Sequence, residues 1–245
     1  MPYLKVRGNR IFYSVRTGGQ KNLVLLHGAG GNHLNWYYQL EHLKDFFNLY
    51  AVDLPGHGNS GGSPCSSILC YAEFLEEFIR KLNLTTDKLV LVGHSMGGLI
   101  IEEYIKNGET PNGVVLISSS YRIEKRDPPE SSFEFCRNLF YSEEAIERCL
   151  KTADIILSKS KSALECDLKA VSDVNYEKEL QKFGNPVLLI QGEKDKLVPL
   201  EDILKMKEVL PLAKLYVVKD AGHMVMIEKA REVSEVMLEW LLKEV

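Results

Sequence analysis

The chain has 245 residues, of which 45% are apolar and 26% charged, the balance of a globular domain with one substantial core. A formal net charge of −4, with both signs interspersed, removes the attraction that drives nonspecific binding to nucleic acid or anionic membrane, so no nucleic-acid partner is expected. No run of about 18 apolar residues occurs, and Met1-Pro2-Tyr3-Leu4-Lys5 lacks the basic and then apolar character of a signal peptide; a cytoplasmic protein without a membrane span is expected.

Leu4 to Arg7 and Ile11 to Arg16 alternate in part around Gly8-Asn9 and predict an amino-terminal β-hairpin. Leu23 to Leu26, Leu49 to Val52, Leu89 to Val92 and Val114 to Ile117 are continuous apolar runs, the pattern of parallel strands buried on both faces. Between them, Ile68 to Leu82 carries Leu69, Ala72, Leu75, Phe78, Ile79 and Leu82 at helical spacing, with Glu73, Glu76, Glu77, Arg80 and Lys81 on the other face. Leu99 to Ile105 predicts a second helix. From about Tyr121 to Gly184 strand patterns stop, and charged helix-forming stretches such as Glu143 to Leu157 take over. An unstructured loop of that length inside a domain would be unusual, so residues 121–184 read as a helical cap inserted into a core formed by 1–120 and 185–245. Pro186 to Ile190 and Leu215 to Val218 are two more strands, and Ile227 to Leu242 closes the chain as a helix. Strand and helix alternate, which implies an α/β fold with a mostly parallel sheet covered on both faces.

Cys65, Cys70, Cys136, Cys149 and Cys166 form an odd set with no CxxC pair and no histidines at zinc-ligand spacing. Reduced structural thiols are expected, with a regulatory Cys65–Cys70 disulfide as the lesser alternative and no metal site.

Gly93-His94-Ser95-Met96-Gly97 places a G-x-S-x-G motif directly after a buried strand and before a helix. Such a corner strains the serine backbone and aims its hydroxyl away from the sheet, and the two glycines remove the collisions that side chains would cause. Ser95 is the candidate nucleophile. The backbone N–H of Met96, at the start of the helix, is the candidate donor to developing negative charge. His27-Gly28-Ala29-Gly30-Gly31 follows an earlier strand and lacks the Lys-Ser/Thr ending of a phosphate-binding loop, so the Ala29 N–H is the natural second oxyanion donor. A serine hydroxyl needs a base and a group that orients the base. His223, in Ala221-Gly222-His223-Met224, and Asp195, in Gly192-Glu193-Lys194-Asp195-Lys196, follow the later strands and are the candidates, with Glu193 and Asp220 as rivals for the acid. His27, His94 and His57 read as structural hydrogen-bonding residues, His33 and His42 as surface or helix-face residues, and Asp53 as turn chemistry.

With HGAGG, DLPGHGNS, GHSMGG, GEKD and AGHM in place, the chain resembles the α/β-hydrolase superfamily, above all its compact bacterial esterase-like members, over nearly its whole length. The resemblance implies an eight-stranded sheet with a lid inserted after the sixth strand. It also implies a Ser95, His223 and Asp195 triad that works without metal or organic cofactor. Epoxide hydrolases and haloalkane dehalogenases with the same sheet use an Asp nucleophile, which Ser95 argues against. Carbon-carbon bond hydrolases often place Asn where this chain has His94. The expected function is cleavage of a small ester-type substrate through an acyl-enzyme. The alternatives are a vinylogous-diketone hydrolase, a lactonase or a thioesterase on the same triad, acyl transfer to an alcohol or peroxide, or a non-catalytic ligand-binding protein. Phe133, Phe135, Leu139 and Phe140 are the expected apolar walls from the lid.

Overall fold

A strand with apolar residues at every position can be buried only where helices cover both faces of its sheet, and that is the arrangement here. The computed structural model describes residues 2–122, 127–172 and 174–245, with the backbone alone for 155–160. Strands β1 (Tyr3–Val6), β2 (Asn9–Arg16), β3 (Asn22–Leu26), β4 (Asn48–Val52), β5 (Leu89–His94), β6 (Gly113–Ile117), β7 (Val187–Gly192) and β8 (Ala213–Val218) form one eight-stranded sheet. Its order is β1-β2-β4-β3-β5-β6-β7-β8. The β1–β2 and β2–β4 pairs are antiparallel and the remaining pairs parallel. The helices are α1 (Tyr37–Leu43), α2 (Ile68–Lys81), α3 (Met96–Lys106), α4 (Ser132–Leu139), α5 (Glu143–Ala170), α6 (Glu177–Leu180), α7 (Leu200–Val209), α8 (Val225–Glu228) and α9 (Ala230–Glu244).

Alternation along each strand sends neighbouring apolar residues to opposite faces. Leu23, Leu25, Val90 and Val92 pack with Trp36, with Leu40 and Leu43 of α1 and with Val233, Met237 and Trp240 of α9. Val24, Leu26 and Leu91 pack on the other face with Phe74 and Phe78 of α2, Leu99 and Ile100 of α3 and Met206 of α7. The helices begin where the sequence offers caps. The Ser67 hydroxyl accepts from the Cys70 N–H at the start of α2, and that of Ser142 from the Ala145 N–H at the start of α5.

Between β6 and β7 the described residues form α4, α5 and α6, and α5 runs 28 residues, well past Leu157. Helices α4 and α5 share a small apolar cluster of Cys136, Ile146 and Ala153, separate from the two main ones. The closing helix is broken: the chain leaves helical dihedrals at Lys229 (φ −121°, ψ 45°), so α8 and α9 replace a single element. The expectation of reduced thiols is overturned, since Cys65–Cys70 and Cys136–Cys149 are disulfides and Cys166 is the free cysteine. The Cα separations of 5.7 and 5.8 Å come from one turn at the start of α2 and from the packing of α4 on α5. The second pairing depends on a contact between two helices that no spacing announces. Among the described residues no helix is long and apolar enough to cross a membrane.

One buried group works against the core. Glu102 of α3 is fully buried and neither carboxyl oxygen has a hydrogen-bond partner. Burial pushes its pKa well above the ordinary value, so the folded chain holds this proton to a higher pH than the unfolded chain does. The unfolded chain releases it above about pH 4.3, so rising pH favours the unfolded state. Glu102→Gln is therefore expected to gain stability over the parent as pH rises from about 5 to about 8, by at most about 1.4 kcal/mol per pH unit. Urea denaturation at both ends of that range checks this, and a difference independent of pH would contradict it.

Candidate active site

The corner between β5 and α3 is a tightly constrained piece of backbone. Ser95 occupies it at φ 51°, ψ −119°, a conformation that side-chain-bearing residues avoid. Its N–H donates to the Ile117 carbonyl at 3.0 Å, and its own carbonyl accepts from the Gly98 N–H and the Ser119 hydroxyl, both at 2.8 Å. A Cβ on Gly93 would lie 2.5 Å from the Gly97 backbone, and one on Gly97 would lie 2.3 Å from the Leu26 carbonyl oxygen. Strand and helix can cross this closely only because both positions are glycine.

His223 lies on the loop after β8, where its Nδ1–H donates to Asp195 Oδ2 at 2.9 Å. The Asp195 carboxylate is itself held by the N–H groups of Leu197 (2.8 Å) and Val198 (3.0 Å) and by the Gln191 side-chain amide (3.2 Å). Burial works to raise the Asp195 pKa, but the charge and hydrogen bond of His223, with the two N–H donors, outweigh it and hold the group below the usual carboxylate range. Asp195 is therefore ionised at neutral pH and accepts from Nδ1 of His223, and among the described residues Nε2 of His223 has no hydrogen-bond partner. Glu193, the rival acid on the same loop, pairs instead with Lys194 at the surface. Asp220 is exposed.

Ser95, His223, Ala29 and Met96 all line one cavity of about 710 Å³. Among the described residues the Ser95 hydroxyl forms no hydrogen bond, so Ser95 and His223 line this cavity without a direct bond between them. Phe135, Leu139 and Phe140 supply part of its wall as the sequence predicts. Phe133 does not: it is 53% exposed, with the Arg137 guanidinium 5.3 Å from its ring centre. Leu164, Leu168 and Val171, on and just after α5, form another wall that the sequence reading passed over. Among the described residues no group of three or more His, Cys, Asp or Glu is arranged to hold a metal ion.

The neighbouring histidines have fixed roles. His94 Nε2–H donates to the His223 carbonyl at 3.1 Å and steadies that loop. Burial and the nearby His223 push its pKa down to about 3, so it is neutral. His27 accepts from the Leu54 N–H at Nε2 and donates from Nδ1 to the Gly28 carbonyl, and burial and His57 push it down to about 4. His33 departs from the surface reading, since its ring and its backbone N–H both bond Asp53 Oδ1, at 2.8 and 2.6 Å. Asp53 also accepts from the Asn59 N–H at 2.7 Å and so ties the two loops together.

Residues 23–236 match the Alpha/beta hydrolase family. The chain belongs to this family. The α/β-hydrolase is 27% identical to the uncharacterised hydrolase YugF of Bacillus subtilis, over 94% of this chain and 93% of that one. It is 24% identical to the dihydrolipoyllysine-residue acetyltransferase component of the acetoin cleaving system of Cupriavidus necator, covering 94% of this chain but 66% of that longer protein. A thermophilic esterase from Thermogutta terrifontis, solved with malate bound, shares the fold with a TM-score of 0.87 and 24% identity, over 99% of both chains.

Because the corner closes around missing side chains, Gly97→Val in this hydrolase should destabilise the fold by about 3 kcal/mol or more. A thermal melt like that of the parent would show that strand and helix can separate to admit the valine.

Proposed function

We propose that this α/β-hydrolase is a serine esterase that cleaves small carboxylic ester-type substrates through an acyl-enzyme. The observation that carries the reading is the 2.9 Å His223–Asp195 pair, lining the same cavity as the strained Ser95 corner. In the proposed cycle Ser95 Oγ attacks the substrate carbonyl carbon while its proton passes to Nε2 of His223. Ionised Asp195 stabilises the imidazolium, and the Ala29 and Met96 N–H groups receive the oxyanion. The tetrahedral intermediate expels the alcohol, which takes the proton from His223. Water then gives a proton to His223 and its hydroxyl to the acyl carbon, releasing the acid and restoring the serine.

Residues 121–184 serve in this reading as a cap, since α4 and α5 contribute apolar cavity walls over the serine. Those walls favour an apolar acyl or alcohol group. The two disulfides favour a compartment that keeps thiols oxidised, which weighs against the cytoplasmic expectation.

Ser95→Ala is expected to lower turnover of a short p-nitrophenyl ester by roughly 10³-fold or more while leaving the thermal melt in place, because the lost step is covalent. A fluorophosphonate should label the parent one-to-one at Ser95. Parent-like turnover by the variant would remove Ser95 from the role. An ester chain-length series, run beside a lactone, a thioester and a vinylogous diketone, identifies the preferred class. In the same assay Asp195→Asn should lose about 10⁴-fold in kcat, since the amide would hold the wrong tautomer of His223.

A further inference from the structure

The wall helix α5 carries a carboxylate that the proposed cycle does not use. Asp167 is fully buried. Its Oδ2 accepts from the Gly30 N–H at 2.9 Å and from His57 Nε2 at 2.8 Å, and its Oδ1 accepts from the Tyr71 hydroxyl at 2.6 Å. The other His57 nitrogen donates to the Pro55 carbonyl at 3.0 Å. Both ring nitrogens thus face oxygens that accept, an arrangement that favours the doubly protonated ring of His57 beside Asp167. Burial alone would push His57 down, but the hydrogen bond and charge of Asp167 outweigh it and hold His57 above its ordinary value.

Three donors converge here from three separate stretches: the loop after β3, the loop after β4, and α2. Gly30 directly follows Ala29 in the loop assigned to the oxyanion. Fixing the Gly30 N–H fixes the peptide plane between the two residues and limits the directions in which the Ala29 N–H can point. A short, charge-assisted bond to a buried carboxylate is a stiff restraint of that kind. Leu164, Leu168 and Val171 line the cavity on either side of Asp167, so the same turns of helix that wall the site also hold its loop.

We infer that Asp167 is a positioning residue for the oxyanion hole: through Gly30 it holds the Ala29 N–H toward the substrate carbonyl, with His57 and Tyr71 fixing the carboxylate in place. The inference rests on the esterase reading above.

The test compares an ester with its thiono analogue, whose larger, weakly accepting sulfur profits little from oxyanion donors. Removing one oxyanion donor lowers kcat by about 10²–10³-fold, so loosening one through Asp167→Asn should lower ester kcat by about 10-fold or more with KM changed less than about twofold. The ester-to-thionoester rate ratio should fall by a similar factor. A role in stability alone would lower the melt and reduce both substrates in equal proportion, leaving the ratio unchanged, and that result overturns the inference. Should Asp167→Asn fail to fold, Tyr71→Phe removes one of the three donors and carries the same test, with an expected fall in the ratio of about threefold. An unchanged ratio there is equally decisive. Parent enzyme that neither labels with fluorophosphonate nor turns over the ester defeats the esterase reading itself. With the parent active, an unaltered ratio defeats only the role of Asp167.

Discussion

The close crossing of β5 and α3 is the constraint around which the rest of the molecule is arranged. Gly97 lies so near the Leu26 carbonyl that the end of β3 is held against the start of α3, and Gly93 lets the helix fold back over its own strand. This contact joins the loop after β3 to the serine corner, so Ala29 and Met96 line one cavity although they are far apart in sequence. The backbone of Ser95 is strained, and the surrounding hydrogen bonds from Gly98, Ser119 and to Ile117 hold it there. The parallel sheet supplies the stiffness, because β3, β5 and β6 lie side by side at its centre with both faces buried.

Two carboxylates that accept backbone N–H groups help join the helices between β6 and β7 to this core. Asp167 of α5 reaches the loop after β3 through Gly30. Glu228 of α8 reaches in the opposite sense: one oxygen accepts from Tyr141 (2.9 Å) and Ser142 (2.8 Å), and the other accepts from Gly222 at 2.6 Å, beside His223. The Met224 N–H adds a bond to the Leu139 carbonyl at 2.9 Å. The loops that carry Ala29 and His223 are therefore braced by the helices between β6 and β7. A substitution in α4 or α5 can change the geometry at Ser95 and His223 without touching either.

The strands and the serine corner were legible because each obeys a local rule. Runs such as Leu89 to Val92 need burial on both faces, and Gly93 and Gly97 answer a steric demand within five residues. The choice between Glu193 and Asp195 was harder, since it depends on which way a turn faces; the N–H groups of Leu197 and Val198 turn Asp195 inward. Phe133 and Phe135 illustrate a different limit. They are two residues apart on α4 and so point to different sides, and nothing local tells which side meets the cavity. The Cys136–Cys149 pairing needed the packing of α4 on α5, which is tertiary, whereas Cys65–Cys70 closes locally and was the lesser alternative that the sequence offered. Asp167 left a readable trace: Ala163, Asp167, Ala170 and Val171 share one helical face, and that face is otherwise apolar. A lone carboxylate there signals a buried partner. Its partners, His57, Tyr71 and the Gly30 N–H, lie about a hundred residues or more away in sequence, so they could not be named from the pattern.

The protonation of the histidines follows from what each ring nitrogen faces, and it bears on the proposed role of His223. The rings of His27 and His57 lie 5.0 Å apart and those of His94 and His223 lie 4.7 Å apart. Two positive rings at such a distance would repel by roughly 3–4 kcal/mol at an effective dielectric of about 20. In the first pair His57 is the ring that favours the charge, and in the second His94 stays neutral. His57 keeps it because Asp167 and the Pro55 carbonyl accept from both nitrogens, while His27 must leave Nε2 bare to receive the Leu54 N–H. His94 spends its only proton on the His223 carbonyl, and its Nδ1 has no partner that would stabilise a second. An imidazolium forming at His223 thus meets Asp195 on one side and a neutral ring on the other. If His94 were basic enough to compete for that proton, the charge would sit on a ring that the carboxylate of Asp195 does not bond. The burial that keeps His94 neutral is in this sense as necessary to the proposed proton transfer as the hydrogen bond that orients His223.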